Sequence, residues 1–144
     1  MGNEDELVIS NDKSLLNLET VFEFLSSSYW ANKRSKEIIR KSIENSICYG
    51  VYKNNRQVGF ARIVTDGATM YWLCDVFIEE GHRGNNIGKK LIETIVKSEE
   101  LKNLMGILGT KDAHGLYKQY DFELDQEKMM RRVPDFVRNM NRQG

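Results

Sequence analysis

The chain has 144 residues, of which 40% are hydrophobic and 29% charged, a composition that suits one folded domain over residues 1–144 and excludes a wholly disordered chain. Lys+Arg and Asp+Glu both number 21, so the formal net charge is zero, and the sequence pI is near 6.7. That balance argues against a nucleic-acid coat, which needs a basic face, and no apolar run is long enough to span a bilayer, so neither nucleic acid nor membrane is expected as a partner.

In chain order, Leu7–Ile9 is a short apolar run that predicts a first strand. Leu15, Leu18, Phe22 and Leu25 recur at helical spacing, with Asp12 or Ser14 as the expected cap. Ser26-Ser27-Ser28 ends that helix, and Tyr29-Trp30-Ala31-Asn32 reads as an aromatic loop. A second helix is predicted from Ser35 onward, carrying Ile38, Ile39 and Ile43. Ile47–Tyr52 and Gln57–Thr65 are rich in β-formers and flank Asn54-Asn55, which predicts a hairpin. Met70–Ile78 is apolar except for Asp75, as expected of a strand buried on both faces.

After the loop Glu79–His82 comes an amphipathic helix, with Ile87, Leu91, Ile92, Ile95 and Val96 on one face. Leu104–Leu108 predicts a strand, Asp112–Tyr120 a short helix, and Phe122–Met130 a final strand or hairpin. Antiparallel strands leading into a strand–helix–strand unit define a mixed-sheet α/β domain. The two cysteines, Cys48 and Cys74, form no CxxC pair and lack metal-like spacing. They read as reduced, half-buried thiols. With an acidic N-terminus unlike a signal peptide, they point to a cytoplasmic protein without a metal.

The run Arg83-Gly84-Asn85-Asn86-Ile87-Gly88-Lys89-Lys90 lies where the buried strand ends and the amphipathic helix begins. Backbone N–H groups in a helix's first turn lack internal partners, and together with the helix dipole they favour an anion. Glycine lets a ligand approach the backbone. The run is therefore a candidate pyrophosphate site, the alternative being an ordinary turn with solvated lysines. It fits neither the Walker pattern nor the dinucleotide GxGxxG pattern.

The same run resembles the acetyl-CoA signature of GNAT acetyltransferases, [QR]-x-x-G-x-[GA], with Arg83 first, Gly88 last and Asn86 in place of the middle glycine. Ala113-His114-Gly115-Leu116-Tyr117-Lys118-Gln119-Tyr120-Asp121-Phe122 resembles a second segment of that family, A-x-x-L-Y-E-K-x-G-F, with Asp121 in place of the glycine. The resemblance covers residues 45–125, extends more weakly to Tyr29-Trp30, and points to a small bacterial subgroup. It implies a GNAT acyl-CoA N-acyltransferase fold whose two parallel strands splay into a cofactor cleft.

By that resemblance, acetyl-CoA is the cosubstrate and the acceptor is a primary amine of a small molecule or peptide. Backbone groups of Val76, Phe77 and Ile78 would meet the acetyl and pantetheine portion. Arg83, Gly84, Asn85, Asn86, Ile87, Gly88 and Lys89 would cradle the pyrophosphate. Tyr117 aligns with the family's tyrosine that protonates the departing thiolate; its alternative is an aromatic packed under the sheet. Asp75 is the candidate base; its alternative is a hydrogen bond to a backbone turn or to an arginine such as Arg62. Strand alternation would set Asp75 on the face opposite Cys74 and Val76.

Tyr29, Trp30 and Arg34 stand where the family's variable N-terminal helices shape the acceptor pocket. His114, one turn from Tyr117, is a further candidate for binding substrate. A homodimer is left open by the resemblance. The reading to be separated from a transferase is a non-catalytic acyl-CoA-binding module.

Overall fold

The computed structural model describes residues 6–135, so the two ends of the expected domain, 1–5 and 136–144, lie outside it. Five strands form one mixed sheet in sequence order: β1 (Leu7–Ser10), β2 (Ile47–Lys53), β3 (Arg56–Thr65), β4 (Met70–Ile78) and β5 (Met105–Leu108). Neighbours are antiparallel from β1 to β4, and β4 pairs with β5 in parallel. The β2–β3 turn is the expected two-residue Asn54-Asn55, with φ of 53 and 67°, the left-handed pair that lets a hairpin follow the strand twist.

Among the described residues, four α-helices cover the two faces. α1 (Leu18–Ser26) and α2 (Lys36–Glu44) pack on one, where Val21, Phe24, Leu25 and Ile39 meet Cys48, Phe60 and Phe77 of the sheet. On the other, α3 (Ile87–Val96) lays Ile87, Leu91, Ile92 and Ile95 against Tyr49, Val51, Ala61, Ile63, Tyr71 and Leu73. α4 (His114–Lys118) adds Tyr117 to that second core. The α3 face is the apolar stripe expected from the sequence.

Three expectations need correction. The first helix begins at Leu18, capped by Asn17, whose side chain accepts the Thr20 N–H at 3.1 Å. Asp12 instead caps a separate short 3-10 turn, Lys13–Leu15. The helix predicted over 112–120 is confined to His114–Lys118. Phe122–Met130 forms no strand; its Asp125, Glu127 and Lys128 are exposed and only Phe122 is partly buried against the core, so this stretch lacks the apolar face that pins a strand. Strand β4 does serve both cores, through Tyr71 and Leu73 on one side and Phe77 on the other, but Trp72 remains 38% exposed.

The parallel register sets Tyr71 beside Gly106. A Cβ at Gly106 would stand 2.5 Å from both the Tyr71 Cζ and its hydroxyl, so glycine there admits a nearly buried tyrosine. Gly106→Ala is expected to lower stability by about 1–3 kcal/mol through overpacking, read as a lower urea midpoint at unchanged slope.

Candidate active site

Pairing between β4 and β5 stops at Leu73↔Leu108, whereas β3 accompanies β4 on to Ile78. From Cys74 to Ile78, β4 therefore has an edge that β5 does not pair with, the place where the resemblance sets the cofactor cleft. The divergence begins at a bulge. Phe60 pairs with Phe77 and Arg62 with Cys74, so Ala61 alone faces both Asp75 and Val76. Asp75 has φ of 52°, a left-handed conformation that aspartate tolerates better than most residues. An extra residue kinks a strand, raises its twist and disturbs the ladder.

The bulge also decides where Asp75 points, and it corrects the alternation argument. Asp75 shares the α1–α2 face with Cys74, whose cross-strand neighbour is Arg62, while Val76 packs into the opposite core. Asp75 is 4% exposed. Its Oδ2 accepts from Arg34 and from Arg62, each at 2.8 Å, and its Oδ1 accepts from the Trp30 indole at 3.0 Å. Arg62 also donates to the Ser46 hydroxyl at 3.1 Å. The arginine pairing is the alternative that the sequence offered for Asp75.

At the other end of the free edge stands the turn 83–86. Gly84 has φ of 87° and Asn86 of 61°. Asn86 thus takes the left-handed conformation for which a glycine would otherwise serve. It is the N-cap of α3 but gives it no side-chain hydrogen bond, whereas Asn17 caps α1 and Ser35 caps α2. The first N–H groups of α3 are thus left for solvent or an anion. A Cβ at Gly88 would come no nearer than 3.9 Å, to Ile78, so the chain leaves room over that position. Lys89 and Lys90 are exposed beside it.

Arg83 turns back toward β4, donating from Nε to the Ile78 carbonyl at 2.8 Å, with its guanidinium 5.2 Å from the Phe77 ring centre. The preceding segment is latched as well. Arg56 on β3 makes two bonds to Glu79, of 2.6 and 3.0 Å, and lies 3.0 Å from His82 Nε2. His82 is thus half-buried. The chain itself braces the turn from both sides.

Tyr117 sits at the β5 side of the cleft, 8% exposed. Its ring packs edge-on against Phe122 at 5.9 Å, and the Phe122 N–H returns to the Tyr117 carbonyl at 3.2 Å. Asp121, with φ of 69°, makes that return as a left-handed residue after a helix end. Burial, then Asp112, then Tyr29 push the Tyr117 phenol up to about 12. Burial raises the Cys74 thiol to about 11, which leaves it a poor nucleophile.

Tyr29 and Trp30 contact each other edge-to-face at 5.1 Å, and Lys111 Nζ lies 5.3 Å from the Tyr29 ring centre. Trp30 holds Asp75 while Tyr29 adjoins Lys111 and influences Tyr117, so their loop bridges the cleft mouth. His114 is exposed at the start of α4 and lines an open hollow of about 1370 Å³ beside β5, next to Tyr117. That hollow includes neither Val76–Ile78 nor the 83–88 turn. Among the described residues no group of three or more His, Cys, Asp or Glu is placed to hold a metal, and no helix is long and apolar enough to cross a membrane. The motifs did not reveal Ser46, Lys111, Asp112, Arg56 or Glu79; the Asp75 partners Arg62, Arg34 and Trp30 are 13, 41 and 45 positions away, beyond any local pattern.

A model of the GNAT acetyltransferase domain matches residues 44–124. A solved structure from Xanthomonas campestris pv. campestris, assigned to the GNAT acetyltransferases, is 34% identical and superposes with a TM-score of 0.85 over 94% of this chain and 99% of that one. A provisionally named acetyltransferase from Deinococcus radiodurans R1, 14% identical, shares the fold with a TM-score of 0.74 over 98% of this chain and 96% of that one. A Gibberella zeae protein provisionally named an acetyltransferase is 26% identical over 110 residues; the match spans 62% of this chain and 62% of the length of that curated relative.

Removing the Asp75 carboxylate strands two arginines. Asp75→Ala is expected to cost about 3 kcal/mol, the low end for a broken buried pair because Arg34 is partly exposed. Asp75→Asn, which keeps the left-handed preference and two hydrogen-bonding atoms, should cost less. Urea unfolding of both variants checks the order.

Proposed function

This chain belongs to the GNAT family of acetyltransferases, and from that premise we propose that it transfers the acetyl group of acetyl-CoA to a primary amine of a small molecule or peptide within one ternary complex. The observation that carries the proposal is the continuity of three features. These are the free β4 edge over Cys74–Ile78, the α3 N-terminus without a side-chain cap, and Tyr117 across the cleft.

The residues present fit the cosubstrate. Gly84 and Asn86 expose the backbone of the turn, the first N–H groups of α3 meet the pyrophosphate, and Lys89 adds charge. Asn85, Ile87 and Gly88 complete that cradle, with Arg83 bracing it from behind. The free edge of Val76, Phe77 and Ile78 hydrogen-bonds the pantetheine amides, and a backbone N–H beside Val76 polarises the acetyl carbonyl as an oxyanion donor. When bound, acetyl-CoA supplies a thioester, whose carbonyl carbon the neutral amine attacks.

The C–N bond forms as the C–S bond breaks, and the departing sulfur takes the Tyr117 phenolic proton. The amine's surplus proton leaves to solvent and restores the phenol. A phenol raised to about 12 keeps its proton at neutral pH, and its transfer to a thiolate whose parent thiol lies near about 8.5 is uphill by itself; the strongly acidic proton of the newly acylated nitrogen, lost in the same turnover, draws it to completion. With both oxygens taken up by Trp30, Arg34 and Arg62, Asp75 serves this reading as a positioning residue that sets the bulge, with the amine's proton passing to water instead.

Acetyl-CoA is expected to raise the melting temperature, since a ligand of the native state stabilises it. An amine screen should then release free thiol. A thermal shift with complete silence against polyamines, amino acids, aminoglycosides and peptides would leave only the binding module. Tyr117→Phe should keep the shift and lower kcat by about 10²–10⁴, the span of general acid catalysis.

Gly88→Ala should fold at least as stably as the parent, since alanine favours a helix by up to about 1 kcal/mol, while losing much of the acetyl-CoA shift. Because the folded-state pKa of Tyr117 is raised, its contribution to stability is fully present below about 10 and is lost as pH rises towards about 12. Relative to Tyr117→Phe, the parent should therefore weaken across that alkaline window and not below it.

A further inference from the structure

Arg34 is the outward-facing member of the Asp75 cluster. Its side chain is 31% exposed, against 14% for Arg62 and 1% for Asp75. Arg62 directs its donors to Asp75 and Ser46, whereas among the described residues Arg34 makes one side-chain hydrogen bond, from a single nitrogen to Asp75. Two guanidinium groups share one carboxylate, so among the described residues the cluster keeps one positive charge without an anionic partner. The guanidinium fork presents five N–H donors, most of which are therefore available.

The surroundings show what that charge faces. Tyr29 is 57% exposed and Trp30 40% exposed, an unusual degree for two aromatics in contact. Lys111 lies over the Tyr29 ring. Two cations thus flank an open aromatic wall at the mouth of the cleft, at the β4–Tyr117 end rather than at the pyrophosphate turn. Tyr29 is near enough for its charge to raise the Tyr117 phenol, which sets the wall on the Tyr117 side of the proposed acetyl site.

We propose that the acceptor is an amine that also carries an anionic group, a carboxylate or a phosphate, and that Arg34 binds that anion while Tyr29 and Trp30 hold the adjoining apolar part. Arginine suits this task because its planar fork matches both oxyanions, and Asp75 holds the guanidinium in place before the acceptor arrives. The cation count also discriminates: a polyamine brought to this wall would meet Arg34 and Lys111 as like charges. This assignment rests on the acetyl-transfer reading and adds the acceptor class to it.

The test compares matched amines by thiol release from acetyl-CoA: phenylalanine against 2-phenylethylamine, and O-phosphoethanolamine against ethanolamine. The member of at least one pair that carries the anionic group is expected to have a kcat/KM about tenfold or more above the counterpart that lacks it, the least that a charge-assisted hydrogen bond provides. Which pair shows the preference tells carboxylate from phosphate. In Arg34→Gln the preference should fall towards one, chiefly through KM, with the acetyl-CoA thermal shift intact; Arg34→Lys should recover part of it.

Equal turnover within both pairs, or better turnover of the amines that lack the anionic group or of spermidine, would overturn this assignment and leave the transferase reading standing. Loss of the acetyl-CoA shift in a folded Arg34→Gln would give the charge to the cosubstrate and also overturn it. An acetyl-CoA shift with no turnover of any amine would remove the transferase reading and this one with it. Should Arg34→Gln fail to fold, the ratios in the parent and in Arg34→Lys decide.

Discussion

Everything at the site depends on one extra residue in β4. With regular alternation, Asp75 would fall on the face of Tyr71 and Leu73, an unpaired carboxylate in an apolar core. The bulge turns it to the other face, where Trp30, Arg34 and Arg62 converge. The left-handed backbone costs about 1–2 kcal/mol, while a buried carboxylate without partners costs several. Avoiding the unpaired carboxylate outweighs the backbone strain, so ion pairing on the α1–α2 face holds the bulge in β4. The bulge in turn starts where β5 pairing ends, and the strand edge beyond it is the one proposed to receive the cosubstrate.

That arrangement separates two tasks by face and by distance. The uncapped end of α3 and the left-handed turn before it offer donors to an anion at one end of the free edge. The aromatic loop 29–34 closes over the other end from the opposite layer, and Tyr117 approaches from the α3–α4 side. In the proposed reaction the thioester would lie between them, with cosubstrate and acceptor entering from different faces. Because Asp75 sits in the β4 bulge and binds the Trp30–Arg34 loop, a shift in the loop is felt at the strand proposed to hold the thioester. The coupling runs through two hydrogen bonds, from Trp30 and from Arg34, and needs no longer pathway.

Much of the fold could be read from local pattern: the hairpin at Asn54-Asn55, the apolar stripe of α3, and the parallel strand after it. These features are set by neighbours in sequence, where periodicity and turn chemistry act. The turn at 83–88 was legible for the same reason. The direction of Asp75 was not, because alternation assumes an unbroken ladder and the bulge is held by residues up to 45 positions away. The last strand failed for a related reason: Phe122–Met130 mixes apolar and charged residues without a face to bury, so composition suggested a strand that packing does not support. Arg34 and Trp30 were legible as candidates for the acceptor side, while their common anchor on Asp75 required the fold.

The glycine pattern of the phosphate turn bears on what that turn is for. At Asn86 and Asp121 the family segments have glycine, and both residues here are left-handed, with φ of 61 and 69°. Glycine in such motifs therefore stands for a backbone angle, and asparagine or aspartate meets the same need at modest cost. Gly88 is the reverse case. It lies within α3, its backbone angle is ordinary, and a Cβ would find only van der Waals contact at 3.9 Å. A helical glycine costs the folded chain roughly 0.5–1 kcal/mol against alanine, and no neighbouring group in the chain requires it. The proposed pyrophosphate site would give it a use, since a ligand whose oxygens take hydrogen bonds from the first N–H groups of α3 comes closer to that turn than a methyl group would allow.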